Sequence, residues 1–259
     1  MNLIYDDEIL AVDIVKAIRI GDIPSLKRLL AENPGLATAI IIGRDTKESL
    51  GQSRSLLHVA ADWPGHFPNG AQTVAVLVEH GADVSARFTG SHTETPLHWA
   101  ASNDDIEVLE ALLDAGADIE ASGAVIAGGT PLDDSVAFSQ WRAAHRLVER
   151  GAQMALWHAA ALGKMDAIQS HFAGSTLSRR YPWGAGRAKP PDEMTVSFWC
   201  ACHGGQKHAA EYLFERGVLL NWISVWDGLT PLDAAQRSAA TELVQWLRSQ
   251  GAKSARELG

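Results

Sequence analysis

The chain has 259 residues, 46% of them hydrophobic, and a formal charge of −9. That apolar content supports a packed core over disorder, and the acidic balance argues against a nucleic-acid partner, which needs a basic patch. The only two cysteines, Cys200 and Cys202, exclude a disulfide framework and fit a reducing cytoplasm. Residues 1–8 are acidic and lack the basic start of a secretory signal. No apolar run approaches the roughly 18 residues of a membrane span.

In chain order, residues 14–35 place Ile14, Leu26, Leu29 and Leu30 among Lys16, Arg19, Lys27 and Arg28, which predicts a polar-faced terminal unit. Asn33-Pro34-Gly35 stops its second helix. Residues 36–54 read as a long connector. The next unit, 55–83, opens with Ser55-Leu-Leu-His58 and closes with Gly81-Ala82. Between its helices lies the loop 62–70, with Pro64, Gly65, Pro68 and Gly70, of which 64–70 is expected to be dispensable for folding.

The clearest unit is 95–118. Pro96 suits a helix start. Leu97, Ala100 and Ala101 give one apolar face, and Ile106, Val108, Leu109, Leu112 and Leu113 give another. Gly116 is expected to close it in a left-handed conformation. Residues 87–94 form the preceding turn. Units follow at 130–152, with Trp141 in the place of Ile106, and at 155–172, which lacks a connecting turn. Residues 173–194 read as a long basic loop, either a solvated insertion or a site for an acidic segment. Units at 195–217 and 230–252 complete the chain, with Arg248, Lys253 and Arg256 on a polar C-terminal cap.

A fixed interval ties these units together. Leu97 precedes Gly116 by nineteen residues, and the same interval separates Leu132 from Gly151, Phe198 from Gly217 and Leu232 from Gly251. Thr-Pro-Leu recurs at 95, 130 and 230, and Gly-Ala at 116, 151 and 251. With its Thr-Pro-Leu-His-x-Ala opening, the unit resembles the ankyrin repeat. The resemblance implies an all-α solenoid of about seven helix-turn-helix units with hairpin-like turns, forming one domain over 1–259. It also implies a concave groove made by the turns and first helices, usually filled by another protein.

On that frame the groove-facing positions are Arg19 and Ile20, Asp62 and Trp63, Ser102 and Asn103, Ala137 and Phe138, Ala161 and Leu162, His203 and Gly204, and Arg237 and Ser238. His92, Glu94, Trp226 and Asp227 fall on the rim. His58 and His98 take the place of the motif histidine, which in the family ties turn backbone together. Trp157, Trp199, Asp133 and Asp233 are expected to replace it elsewhere. Trp99 is expected in the core, and Trp141, Cys200 and Cys202 on faces between helices. Cys200-Ala-Cys202-His203 lacks the usual zinc spacing, so no metal and no cofactor are expected. Asp104-Asp105 suits a helix cap.

The strongest functional cluster is Asp62, Trp63, His66, His92, Glu94, Ser102 and Asn103, expected on one exposed face and not needed for folding. Phe138, His203 and Arg237 extend the binding surface. Nothing in the sequence has a nucleophile elbow or a phosphate loop. Catalysis would rest on His66 or His92 as a base beside Asp62 or Glu94. The sequence therefore favours a non-enzymatic module: a cytoplasmic, monomeric adaptor that binds a protein, with no nucleic acid and no membrane. The alternative is an enzyme or small-molecule binder using a pocket beneath 62–70.

Overall fold

Paired short helices make up most of the chain. The computed structural model describes residues 3–44, 51–175, 177 and 192–259. Two compact units divide it, residues 1–151 and 152–259.

In the first unit the pairs are α1 (Ile9–Ile20) with α2 (Ile23–Glu32), α3 (Leu56–Ala60) with α4 (Gly70–Glu79), α5 (Pro96–Ser102) with α6 (Ile106–Asp114), and α7 (Pro131–Ala137) with α8 (Trp141–Glu149). The first helices adjoin in the order α1, α3, α5, α7, and the second helices in the order α2, α4, α6, α8. Ile14, Ile18, Leu57, Leu77, Leu97, Leu109, Leu132 and Leu147 fill the space between them.

The opening tripeptide has a physical explanation. In α5 the Thr95 N–H is accepted by His98 Nδ1 at 3.1 Å. The ring proton therefore sits on Nε2, which reaches the Gly129 carbonyl just before the next helix start at 3.3 Å. His58 repeats this, with Ser55 N–H on Nδ1 and Nε2 on the Glu94 carbonyl at 3.1 Å. Each histidine thus caps its own helix and ties it to the following turn, as the sequence implied. Burial pushes the His58 ring down to about 3 and His98 to about 4, so both stay neutral near pH 7.

The closing Gly-Ala is equally mechanical. Gly116 has φ +92°, and the next N–H, that of Ala117, reaches back to the Leu112 carbonyl at 3.0 Å. The left-handed glycine lets a buried alanine close the helix.

The expected all-α class needs one correction. Three short strands, β1 (Leu3–Tyr5), β2 (Ile40–Ile42) and β3 (Ser53–Ser55), form a sheet in the order β1-β2-β3. β1 pairs parallel to β2, with Ile4 beside Ile41. β2 pairs antiparallel to β3, with Ile41 beside Arg54. The supposed connector 36–54 thus contains a 3-10 turn (Leu36–Thr38), β2 and the start of β3. The isoleucine run favours a strand, but three residues are too few for an alternating pattern to be legible.

The second unit comprises α9 (Leu156–Ala161), α10 (Met165–Phe172), α11 (Glu193–His203), α12 (Lys207–Phe214), α13 (Pro231–Arg237), α14 (Thr241–Ser249) and α15 (Ala255–Leu258). α11 packs between α9 and α13. Two registers differ from expectation. In α9 the capping residue is His158, whose Nδ1 accepts the Ala155 N–H at 2.9 Å, so Trp157 is core and not the histidine's replacement. α11 begins at Glu193 because the Asp192 carboxylate accepts the Thr195 N–H at 2.8 Å. Of the expected 173–194 loop, residues 176 and 178–191 lie outside the described residues. Among the described residues no helix is long and apolar enough to cross a membrane.

Candidate functional site

The expected groove positions behave differently in the two units. In the first they lie at the C-terminal ends of adjacent helices. Ile20, Trp63 and Phe138 are 56%, 77% and 43% exposed. Asn103 stands between the last two in the row, half-buried because its side-chain amide donates to the Ala61 carbonyl at 2.8 Å. In the second unit Ala161, Leu162 and His203 are buried. For His203 this corrects a surface assignment: its ring stacks on Trp199, and its Nδ1 takes an N–H from Arg237 at 3.1 Å. Arg237 itself is exposed and pairs with Asp227 at 2.8 Å.

The seven-residue cluster of units two and three splits into separate places. Asp62 Oδ2 accepts from Arg19 and Arg54, each at 2.9 Å, while Oδ1 takes the Trp63 N–H. His66 belongs elsewhere. Its N–H donates to Asp105 Oδ2 at 2.6 Å, and its Nε2 donates to the Asn103 carbonyl at 3.1 Å. Asp105 also caps α6 through Val108 N–H at 3.2 Å, as expected for this acidic pair. Its neighbour Asp104 instead accepts the Ala143 N–H at 2.7 Å, across to α8.

These bonds fasten the loop, whose 64–70 stretch is expected to be dispensable, to its neighbours. The loop is fastened to α6 through His66 and to the α1–α2 turn through Asn69, whose amide donates to the Gly21 carbonyl at 2.9 Å. Gly21 has φ +66°, and a Cβ there would lie 2.1 Å from the Pro68 carbonyl oxygen. The loop packs on a place only glycine can occupy.

Glu94 is also not a rim residue. It is 4% exposed, accepts the Val125 N–H at 3.0 Å, and lies 3.0 Å from His92 Nδ1. Of the expected base–carboxylate pairs, His92 with Glu94 is brought together; His66 and Asp62 each have other partners. Behind Glu94, burial and then the neighbouring Glu94 carboxyl hold the Asp134 carboxyl well above the usual range. Both causes favour the protonated form of Asp134. Ser102 is half-buried at the end of α5.

A half-open cavity of about 300 Å³ lies beside His92. One side is the sheet, contributing Asp6, Ile41, Gly43, Gln52 and Arg54. The other is an aromatic wall of Phe88, His92 and Trp99. His92 stacks on Phe88 at 4.5 Å, and Phe88 lies 5.4 Å from Trp99. The expected pocket exists in part: Asp62 and His92 line it, but the sheet and not loop 62–70 forms its other side, and Trp63 is not a lining residue.

Trp99 was expected in the core and is half-buried instead. The place just after the capping residue shows why. There α3, α7, α11 and α13 carry Val59, Asp134, Cys200 and Ala234, all fully buried. Only small or medium side chains fit that place, and the Trp99 indole extends beyond it to the cavity. That mismatch in size was legible in the aligned repeats. Cys200 and Cys202 are buried in α11, and desolvation pushes both thiols up, as suits core packing.

Residues 14–122, from within α1 to beyond α6, match the family model of ankyrin repeats in three copies. No curated protein matches the chain.

Proposed function

We propose, from the premise that ankyrin repeats occupy residues 14–122, that the chain is a non-enzymatic protein-interaction module. Its partner lies along the row Ile20, Trp63, Asn103 and Phe138. The observation that carries this reading is the exposure of large apolar side chains at equivalent ends of adjacent first helices. Aromatic side chains with one free face are the usual anchors of protein interfaces. Arg19, held on Asp62, supplies a polar margin.

In this reading the repeat continues past residue 122 to give seven units and a single domain. The Asp133, His158 and Asp233 caps support that, because each accepts the N–H at its own helix start. An adaptor acting as a monomer in the reducing cytoplasm fits the two unpaired, buried cysteines.

Affinity capture with the unaltered chain and with Trp63→Ser/Phe138→Ser tests it. The double variant should lose about tenfold or more in partner affinity, the scale of one interface anchor, with its thermal midpoint unchanged. Full retention of the partner by the double variant would remove this row from the interface.

A further inference from the structure

The row bearing Trp63 and Phe138 has a period and one charged edge. Its members, Ile20, Trp63, Asn103 and Phe138, stand at the ends of adjacent first helices. Packed helices lie about 8–10 Å apart, so a chain running along the row must offer one side chain per such interval on a single face. A β-strand does not, because its same-face residues recur at about 6.6 Å or 13 Å. An α-helix repeats a face after seven residues, at about 10.5 Å, which exceeds the interval and falls out of step along the row. The polyproline II helix has three residues per turn and rises about 3.1 Å for each, so every third side chain returns at about 9.3 Å. Its proline rings also suit aromatic faces such as those of Trp63, 77% exposed, and Phe138.

Charge sets what the partner carries beside that face. Arg19 and Arg54 meet the same carboxylate oxygen, Oδ2 of Asp62, each at 2.9 Å, while Oδ1 is taken by the Trp63 N–H. Two guanidiniums thus share one negative charge immediately beside Trp63, and the Arg19 side chain is 44% exposed. The carboxylates in the turns that follow the row are already engaged. Asp22 accepts the Ser25 N–H, Asp104 the Ala143 N–H, and Asp105 the His66 and Val108 N–H groups. Arg142 lies 3.7 Å from Asp104, and Asp13 and Lys16, further back on α1, carry opposite charges. The edge at Arg19 is therefore locally cationic on a chain whose total charge is −9. A carboxylate fits there, since a guanidinium has N–H donors for more than one acceptor.

We propose that the row takes an acidic, proline-rich segment in the polyproline II form, its apolar side chains on Trp63 and Phe138 and a carboxylate on Arg19. This rests on the protein-binding reading of the row and names what the partner presents to it.

The test titrates the full chain with three synthetic peptides, each four copies of one triplet: Leu-Pro-Glu, Leu-Pro-Lys and Leu-Ala-Glu. Isothermal calorimetry and tryptophan fluorescence read the binding. The Leu-Pro-Glu peptide should bind saturably, and about tenfold or more tightly than Leu-Pro-Lys, the scale of one charge-assisted hydrogen bond. The net charge of the chain favours the opposite order, so non-specific attraction does not produce this one. Leu-Ala-Glu, whose backbone is not held in the polyproline II form, should also bind more weakly. Arg19→Gln should abolish the preference for glutamate over lysine while circular dichroism stays unchanged. No saturable binding of Leu-Pro-Glu at millimolar concentration, an equal or tighter complex with either other peptide, or an undiminished preference in folded Arg19→Gln each overturns the proposal. If Arg19→Gln does not fold, the three peptides on the unaltered chain decide alone. Loss of the captured partner by Trp63→Ser/Phe138→Ser, with no acidic peptide bound by the unaltered chain, would leave the row an interface and remove only the acidic, proline-rich partner. Retention of both partner and peptide by that double variant would remove the row itself.

Discussion

Trp99 in α5 and Trp199 in α11 look alike in sequence and do opposite work. Trp199 is 2% exposed and takes the role that His98 has in α5. Its indole N–H donates at 3.0 Å to the Leu229 carbonyl, which immediately precedes Thr230 as Gly129 precedes Thr130. Trp226 packs edge-on against it at 4.9 Å. Trp99 comes one residue later in its repeat, where the other helices bury small side chains, and it ends on a cavity. The same residue type shifted by one position changes from a tie between repeats into the wall of a site. The largest test of this contrast is truncation. Trp199→Ala should cost about 3–5 kcal/mol, the range for a large buried aromatic. Trp99→Ala should cost about 1–2 kcal/mol, since part of its surface is already wet. Equal midpoints in urea would erase the distinction.

That one-residue shift also marks what the sequence could reveal. The nineteen-residue interval locates the helix pairs because every closing glycine must be left-handed and every opening residue must cap; both are local constraints. In α9 the interval lacks its closing glycine, and the register there is wrong by one, at Trp157 and His158. The sheet is unreadable for a different reason, since its three-residue strands join residues far apart in the chain. The candidate site depends on that sheet. Asp62 and His92 are visible as chemistry, but Asp6, Gln52 and Arg54 carry no motif until Ile41 places them on one face. Glu94 reads as a surface turn residue because its carboxyl partner, Asp134, lies in the next repeat.

Where histidine makes the tie between repeats, acid should break it; where tryptophan does, acid should not. The His58 and His98 rings are depressed to about 3 and about 4 by burial, against 6.5 when exposed. Below pH 6.5 the unfolded chain takes up protons that the folded chain refuses. Stability present above that pH is therefore lost as pH falls toward about 4, by roughly 1.4 kcal/mol per pH unit for each ring. Denaturation series between pH 4.5 and 7 should show this slope. His98→Gln, though less stable, should have a shallower slope; an unchanged slope would place the proton uptake elsewhere.

The neighbourhood of α5 holds a second titrating group with the opposite sign. Burial, and then the neighbouring Glu94, favour the protonated form of Asp134. Its folded pKa is raised above that of the unfolded chain, so its contribution is present at low pH and is lost as pH rises through the raised value. His92, His98, Arg87 and Asp133 also face this group of carboxyls. Asp134→Asn keeps a donor for Glu94 without the titration. It should therefore gain stability relative to the unaltered chain as pH rises above the ordinary carboxyl value of 3.8 toward the raised one. A constant difference between the two at all pH values would show that Asp134 is ionised throughout.

The turns that follow α5 and α11 give the smallest and cleanest comparison. Each passes through a left-handed residue, Asp104 with φ +54° and Gly205 with φ +68°. Left-handed backbone costs a side-chain-bearing residue about 1–2 kcal/mol and glycine almost nothing. Asp104 offsets that cost with its carboxylate bond to Ala143 N–H, worth about 1 kcal/mol or somewhat more. Asp104→Gly removes strain and bond together and should change stability by less than about 0.5 kcal/mol. Gly205→Ala gains strain with no bond. The new Cβ would meet Ser238 Oγ at 3.7 Å and Ala240 Cβ at 3.3 Å, a tight contact relieved by a small shift of the neighbour, so backbone conformation sets most of the cost. A loss of about 1 kcal/mol is expected. A loss of several would mean that packing dominates, and no loss would mean that the turn is not left-handed.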